Sequence, residues 1–260
     1  YEKYKDKGFI VVGVHTPEFE FEKKTENVQG AINQYNIHYP VPQDNDYKTW
    51  FAYNNHYWPA KYLIDVKGNI RYTHFGEGEY EETEKNIQTL LKEAGNRVKE
   101  NMVDLEEQTP RVRLTPETYL GLARMERLAS AEEPSISEET YTTPELLPRD
   151  FFALGGVWNI QDEFSSAKKG SVLELRFYAN KVFLVITPQD MSDKIKVYLD
   201  GKLADASNVG KDVQDGYVVF NKNNPNSLYN LIDLGESAGE HLLRLEFETE
   251  ETKIFAFTFG

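Results

Sequence analysis

The sequence predicts two domains of different class, an α/β domain followed by an all-β sandwich. Strand-like and helix-like patterns alternate in the first part of the chain, whereas seven short strand signals follow one another between residues 172 and 259. The chain of 260 residues is also longer than one ordinary domain. We therefore divide it into an α/β domain at residues 1–98, a linker at 99–140 and a sandwich at 141–260.

The α/β part opens on a segment typical of a helix end. Lysines precede Gly8, which stands where a left-handed residue often closes a helix. The valine-rich run 9–14 predicts a strand covered on both faces, as in a parallel sheet. Apolar residues at helical spacing predict a helix over 25–38, and the two prolines within 39–43 predict an edge or a loop.

A hairpin and a closing helix complete this part. Strand-like runs at 60–66 and 69–75 flank the turn pair Lys67-Gly68. Apolar residues then recur on one face of the segment 79–94, and Gly95 supplies a helix stop.

The hairpin register places four residues together. If the turn contains two residues, the numbers of paired residues sum to 135, so Pro59 lies opposite Gly76 and Trp58 opposite Glu77. A proline at a strand start is either an ordinary trans proline or a site for a cis peptide bond. We expect one edge of the hairpin to collect these four residues.

The linker is rich in charge and proline, and one helix is predicted within it. Thr115 is a good N-cap and Pro116 suits the first helical position, which predicts a short helix through Leu128. The seven predicted strands of the sandwich are 172–178, 182–187, 195–199, 217–220, 228–234, 241–248 and 253–259.

Composition excludes several function classes. The 43 acidic and 29 basic residues give a net charge of −14, which disfavours binding to nucleic acid. Apolar runs are too short for a membrane span. The chain has no cysteine, so it contains neither a disulfide nor a thiol nucleophile. The histidines lack the spacing of metal ligands, and we expect no metal and no cofactor; His15 is interpreted as a structural residue.

Several motifs resemble thioredoxin-like proteins of the TlpA and DipZ type. The matching stretches of the α/β part are 9–19, Tyr57-Trp58-Pro59-Ala60, Leu63-Ile64-Asp65, Gly68 and Phe75-Gly76-Glu77-Gly78. Those of the second part are Thr115-Pro116-Glu117-Thr118-Tyr119-Leu120-Gly121, Arg124 and Phe255-Ala256-Phe257-Thr258-Phe259-Gly260, which look like the linker and the carbohydrate-binding-module-like domain of DipZ proteins. The resemblance covers nearly the whole chain.

The resemblance implies a redox cleft. Pro59 would be the cis-proline of a thioredoxin-like domain, with Trp58, Gly76 and Glu77 beside it. In the family, the Cys-x-x-Cys pair lies at the start of the helix that we interpret as ending at Gly8, so it would precede these residues. With cysteines present, Glu77 could accept a proton from a thiol; otherwise it is a solvated loop carboxylate.

The resemblance also implies that the thioredoxin-like domain is incomplete at its amino-terminal end. The family's first strand would lie between the run 9–14 and the hairpin, and it is not in this sequence. Its two neighbours would be left with unpaired backbone edges. We expect the missing segment to be supplied by residues outside these 260.

The resemblance implies that the chain is part of an extracytoplasmic thiol–disulfide oxidoreductase, which is redox-silent as it stands because the cysteine pair is absent. Its implied partners are protein disulfides or dithiols and an upstream electron donor. An alternative is a non-catalytic binding module whose sandwich holds a glycan or a protein, with Trp158, Asn159 and Gln161 as glycan contacts, although sandwich aromatics also serve as core. A peroxiredoxin-like peroxidase is a weaker alternative, because it too would need an upstream cysteine.

Overall fold

The computed structural model describes residues 1–99, 101–105, 113–235 and 238–260. The chain divides into two compact units, Tyr1–Arg111 and Val112–Gly260, called unit 1 and unit 2 below. The predicted boundaries at 98 and 140 stay predictions, and the linker residues 100 and 106–112 lie outside the described residues. No helix among the described residues is long and apolar enough to cross a membrane.

Unit 1 contains three α-helices and one antiparallel hairpin within its described residues. Two predicted helices are confirmed, and Gly95 follows the second with a φ of 85°. The short middle helix was not predicted. The elements are α1 (Thr25–Gln34), α2 (Lys48–Ala52), β1 (Ala60–Ile64), β2 (Ile70–Phe75) and α3 (Tyr80–Glu93), with 3₁₀ turns at Lys5–Lys7 and Glu20–Lys23.

The run 9–14 is extended but forms no regular strand, so that prediction is wrong. Its backbone meets the proline segment, where Gly13 N donates to Pro40 O at 2.9 Å and His15 N donates to Pro42 O at 2.9 Å. Prolines accept hydrogen bonds but cannot donate them, and a continuous ladder therefore cannot form. The run is also not covered on both faces, since its alternate side chains are exposed. These are Ile10 (77%), Val12 (54%) and Val14 (42%).

The hairpin keeps the predicted register with a different turn. Ala60 pairs with Phe75 and Leu63 with Tyr72, and both pairs sum to 135. Asp65 N donates to Asn69 O at 2.9 Å, so the loop has three residues, and a bulge after Leu63 restores the register. The Asp65 carboxylate accepts from the amides of Asn69 and Lys67, which lowers the pKa of Asp65 to about 2.

Unit 2 is an all-β structure in which, among its described residues, thirteen strands join into one continuous sheet. Their bounds are β3 (Thr118–Tyr119), β4 (Glu138–Tyr141), β5 (Phe152–Ile160), β6 (Ser165–Ala167), β7 (Val172–Ala179), β8 (Lys181–Thr187), β9 (Ile195–Leu199), β10 (Lys202–Leu203), β11 (Val213–Gln214), β12 (Tyr217–Val218), β13 (Ser227–Asp233), β14 (Gly239–Phe247) and β15 (Lys253–Phe259). The strands form a path in the order β11-β12-β9-β14-β7-β5-β6-β15-β8-β13, with β10 beside β9, β3 beside β15 and β4 beside β5.

Alternation along the strands of unit 2 builds the main core. Every second residue of β7, β8 and β9 is buried, which is the pattern of a sheet with one covered face. The seven predicted strands all occur, although the fourth is shorter than predicted. Fully buried side chains include Phe152, Leu154, Trp158, Leu173, Leu175, Phe177, Leu184, Val197, Leu245 and Phe257.

Strand β5 connects the two halves of this sheet and was missed by the sequence analysis. Its first residues, Phe152–Gly155, pair with β7, whereas Trp158–Ile160 pair with β6. Between them Gly156 has a φ of 84°, and a Cβ on Gly155 would lie 2.8 Å from a methyl group of Val172. The glycine pair therefore provides the bend that lets one strand serve both halves.

The helix predicted after Pro116 is absent, and this prediction is wrong. Residues 118–119 form β3 and pair with β15, and only a 3₁₀ turn follows at Leu122–Arg124. Leu120 is fully buried and its N–H donates to Phe255 O at 2.8 Å. Burial of Leu120 in the sheet core outweighs the local preference for a helix.

We predict that Gly121→Ala destabilises unit 2 by about 1–3 kcal/mol. A Cβ at this position would lie 2.1 Å from the carbonyl carbon of Glu163 and 2.5 Å from the carbonyl oxygen of Asp162, and backbone atoms cannot yield cheaply. Urea unfolding measures the effect. Ala123→Ser, at an exposed position in the same turn, is the control and should shift stability by less than about 0.5 kcal/mol. Equal unfolding midpoints for the two variants would contradict the prediction.

Candidate functional site

The open end of the hairpin brings Pro59 and Gly76 together, as the predicted register requires. Gly76 N donates to Pro59 O at 2.8 Å, directly beyond the pair formed by Ala60 and Phe75. The Trp58–Pro59 peptide bond is cis. This end of the hairpin is solvent-accessible, so an incoming polypeptide could reach the backbone on either side of Pro59.

Trp58 is held from two directions. Its indole N–H donates to Thr16 O at 3.1 Å, and its ring lies 4.1 Å from that of Trp50 between centroids. The side chain is nevertheless 44% exposed. The indole is thus fixed in orientation while one face stays open to solvent.

Exposed aromatic side chains occur at this end of the hairpin and in the preceding segment 51–57, and we call them the aromatic rim. Its best-exposed member, Phe51, is 73% exposed, and Tyr57 and Phe75 lie 5.0 Å apart. A concentration of exposed apolar surface is typical of an interaction site. The rim consists of Phe51, Tyr53, Tyr57, Trp58 and Phe75.

Asp44 anchors the helix that carries Trp50. Its carboxylate is buried and accepts from Thr49 N at 2.9 Å and from Trp50 N at 2.8 Å, so it satisfies amides that a helix start leaves free. Burial alone would raise the pKa of Asp44, but these backbone hydrogen bonds outweigh it and lower the pKa below its ordinary value. Asp44 thereby fixes Trp50 against Trp58.

Glu77 lies in the loop after β2, where Tyr80 holds its carboxylate. The Tyr80 hydroxyl donates to Glu77 Oε2 at 3.0 Å, and the Lys61 ammonium lies 4.9 Å from the centre of the Tyr80 ring. Glu77 itself is exposed. Because Gly76 is hydrogen-bonded to Pro59, the backbone of Glu77 follows directly after this end of the hairpin. The Glu77 carboxylate accepts the hydrogen bond from Tyr80.

The sequence analysis missed Asp44 and Trp50. An aspartate shortly before the aromatic run 47–53 is the available signal, because it is a helix-capping residue type near a cluster of apolar side chains. His15 was interpreted as structural, and its Nε2 lies 3.1 Å from Glu22 O. No group of histidine and acidic residues able to hold a metal ion occurs within the ranges that the structure describes.

Two roles were considered for Trp158, and the structure supports the core role rather than the stacking of a sugar. Trp158 faces inward from β5, is fully buried, and donates its indole N–H to Gly155 O at 3.0 Å. Its ring packs edge-on against Phe247 at 5.2 Å. Asn159 and Gln161 are partly exposed, and the Gln161 amide donates to Asn159 Oδ1 at 2.8 Å. An aromatic platform for a glycan is therefore not present at these three residues.

Comparison with known proteins finds one family model and several relatives that match this chain. A family model described as "Thioredoxin like C-terminal domain" matches residues 115–260, which belong to unit 2. Protein DipZ of Mycobacterium tuberculosis is 36% identical over 208 residues, which cover 78% of this chain and 30% of DipZ.

Two further relatives match shorter stretches. The thiol-disulfide oxidoreductase YkuV of Bacillus subtilis is 29% identical over 92 residues, 35% of this chain and 62% of that protein. NHL repeat-containing protein 2 of Homo sapiens is 34% identical over 76 residues, 29% of this chain and 10% of that protein. The chain spans less than a third of the length of DipZ.

We predict that Asp44→Ala lowers the stability of unit 1 by about 1 kcal/mol and loosens the Trp50–Trp58 contact. Because the folded-state pKa of Asp44 is lowered, its contribution is present above the ordinary pKa and is lost as the pH falls through the lowered value. Tryptophan fluorescence during urea and acid unfolding measures both effects. Asp46→Ala removes an exposed carboxylate two residues away and should leave the fluorescence unchanged; an equal effect of the two variants would refute the role of Asp44.

Proposed function

We propose that this chain, which belongs to the thioredoxin-like C-terminal domain family, is part of an extracytoplasmic thiol–disulfide oxidoreductase. The similarity to DipZ and to YkuV supports an oxidoreductase-like family. The observation that carries the proposal is the hydrogen bond from Gly76 N to Pro59 O, next to the exposed side chains of Trp58 and Phe75. The chain itself contains no cysteine. In this view, unit 1 supplies the substrate-facing half of a redox cleft.

The sulfur chemistry must come from a segment outside these 260 residues. Disulfide exchange requires a thiolate, and a lowered thiol pKa at a helix start is the usual means of providing one. The attacking thiolate would form a mixed disulfide and release the substrate's other sulfur as a thiolate. A second thiolate would then break the mixed disulfide. The chain alone is therefore redox-silent in this proposal.

The exposed edge at Ile10, Val12 and Val14 is the proposed packing site of that segment. Within the described residues, the backbone of the run 9–14 pairs with the proline segment, and the amides of these three residues have no hydrogen-bond acceptor. An extended segment with a free edge and alternating exposed apolar side chains is suited to pair with one more strand. A strand added here would pair with these amides, and its own side chains would lie beside those of Ile10, Val12 and Val14.

The small core of unit 1 supports the same proposal. A domain of about 100 residues ordinarily buries most of its apolar side chains. In the described part of unit 1, the buried hydrophobic side chains are Tyr4, Phe19, Val28 and Leu91. Additional apolar surface from elsewhere would convert half-exposed residues into a core.

Within this cleft we assign complementary roles to the four predicted residues. Trp58 and Pro59 present a fixed aromatic and backbone surface to a protein disulfide or dithiol, and Gly76 holds Pro59 in place through the backbone hydrogen bond. Glu77 is the proposed proton acceptor for a thiol, and the Tyr80 hydroxyl restrains its carboxylate. An upstream electron donor would restore the dithiol.

Unit 2 is proposed to be a carbohydrate-binding-module-like sandwich in architecture, without an assigned ligand. Its continuous sheet provides the all-β frame of such a module. Glycan binding as the main function of the chain is not favoured, because Trp158 is buried.

Disulfide reduction tests the proposal. The 260-residue chain should reduce insulin disulfides no faster than dithiothreitol alone, whereas the natural protein extended at its amino-terminal end should catalyse the reaction. In the extended protein, Trp58→Ala should lower kcat/KM by roughly tenfold through loss of the substrate-facing surface. Val66→Ala, at the far end of the same hairpin and 81% exposed, should change kcat/KM little.

Three results would overturn the proposed function. They are reduction of insulin disulfides by the cysteine-free chain, an extended protein without cysteines, and an extended protein that contains cysteines and does not catalyse the exchange.

A further inference from the structure

Helix α3 buries a stripe of side chains that is largely polar. The buried residues are Glu84, Gln88 and Leu91, which recur at the spacing of one helix face. Such a face is ordinarily apolar, and burying a carboxylate costs free energy unless hydrogen bonds or an opposite charge compensate for it. The polar part of the stripe therefore indicates that α3 holds specific partners there.

The Glu84 carboxylate holds residues at the beginning of unit 1. The Tyr4 hydroxyl donates to Glu84 Oε1 at 2.5 Å, and the Lys3 ammonium forms a salt bridge with the same oxygen. The Tyr4 side chain is buried at this contact. Residues 1–4 are called the entry segment below.

The same carboxylate holds a segment that follows α3. Val103 N donates to Glu84 Oε2 at 2.7 Å, and the Lys3 ammonium also donates to Asn101 O. Residues 101–103 are called the exit segment below. The two segments are fastened at one place, although 98 positions separate Lys3 from Asn101 in the sequence.

Gln88 repeats this arrangement one turn further along α3. Its side-chain amide donates to the Tyr4 hydroxyl at 2.8 Å and to Met102 Sδ at 3.5 Å. Residues four apart on a helix lie on the same face, so Glu84 and Gln88 contact the same two segments. The polar stripe of α3 is thus matched to the entry and exit segments together.

The donors around Glu84 compensate for the burial of its charge. Burial alone would raise the pKa of Glu84, but hydrogen bonds from Lys3, Tyr4 and Val103 outweigh it and lower the pKa below its ordinary value. The side chain is only 10% exposed, so the ionised carboxylate needs these donors in place. When a donor is lost, the carboxylate gains by turning toward water, and the remaining donors lose their acceptor.

We infer that Glu84 couples the two segments, so that each docks on α3 more firmly while the other is docked. Neither segment alone satisfies both carboxylate oxygens, because Oε1 accepts from the entry segment and Oε2 from the exit segment. A coupling of this kind acts equally in both directions. A contact that pulls the exit segment away from α3 therefore loosens the entry segment as well.

The coupling deepens the proposed function, on which it rests only for the nature of the residues before Tyr1. In that proposal the sulfur-bearing segment precedes Tyr1, and Glu84 fixes the end of that segment on α3. The coupling itself involves no thiol, so it can be measured in the 260-residue chain.

Amide hydrogen exchange of the 260-residue chain tests the coupling, with the Val103 amide as the readout. Tyr4→Phe removes the hydroxyl that donates to Glu84 and keeps the buried ring. We expect it to lower the protection of Val103 by about three- to tenfold, although no hydrogen bond joins Tyr4 to the exit segment. Glu84→Gln, which removes the charge at nearly constant shape, should lower that protection by roughly tenfold or more.

Two control variants and one reference amide separate the coupling from a general loss of stability. Tyr1→Phe removes a hydroxyl from an exposed residue of the entry segment, and Glu82→Gln removes an exposed charge from α3. Both variants should leave the protection of Val103 unchanged. The Gly76 amide, which donates to Pro59 O, should keep its protection in every variant.

A Val103 amide without protection in the unchanged protein would overturn the inference. So would unchanged protection in Tyr4→Phe or Glu84→Gln, an equal loss in Tyr1→Phe, or a loss at Gly76 as large as that at Val103. Coupling without disulfide reduction in the extended protein would refute the proposed function alone, and reduction without coupling would refute this inference alone.

Discussion

The backbone pairing of β1 with β2 determines where the hairpin residues of the candidate site lie. Side chains alternate along a strand, so one register sets which residues share a face and which backbone groups meet at the end of the hairpin. The pair Ala60–Phe75 leaves Pro59 and Gly76 as the next partners, and their hydrogen bond closes the ladder. A slip of one residue would turn the side chains of one strand to the other face, so that Lys61 and His74 would no longer lie opposite each other.

The two units differ in how much of their apolar side-chain surface is buried. Unit 2 places alternate strand residues in a covered core, and the glycine pair in β5 lets one strand complete both halves of the sheet. Unit 1 leaves Ile10, Val12 and the aromatic rim open to solvent. A concentration of exposed apolar surface of this kind is typical of an interaction site.

Local patterns predicted most elements, and the errors have identifiable causes. The hairpin register was predicted because a bulge after Leu63 compensated for the longer turn that Asp65 stabilises. Strand β5 was missed because Gly155-Gly156 is a turn signal in sequence, whereas here it marks a bend within a strand. The helix after Pro116 was wrong because burial of Leu120 overrides the N-cap signal of Thr115, whose hydroxyl instead donates to Asp150 at 2.6 Å and accepts from Tyr178 N at 2.7 Å.

The candidate site was predictable only where the pairing of two strands could be derived from the sequence. Trp58, Pro59, Gly76 and Glu77 follow from strand pairing alone, whereas Trp50 reaches Trp58 through the capping of α2 by Asp44, a tertiary arrangement that no local pattern encodes. For Trp158, the residue type alone left a sugar platform as an alternative to a core role. The alternation of side chains along the strand directs its ring inward. The Pro59 end of the hairpin is thus positioned by helix capping and by backbone pairing, and none of these contacts involves a thiol.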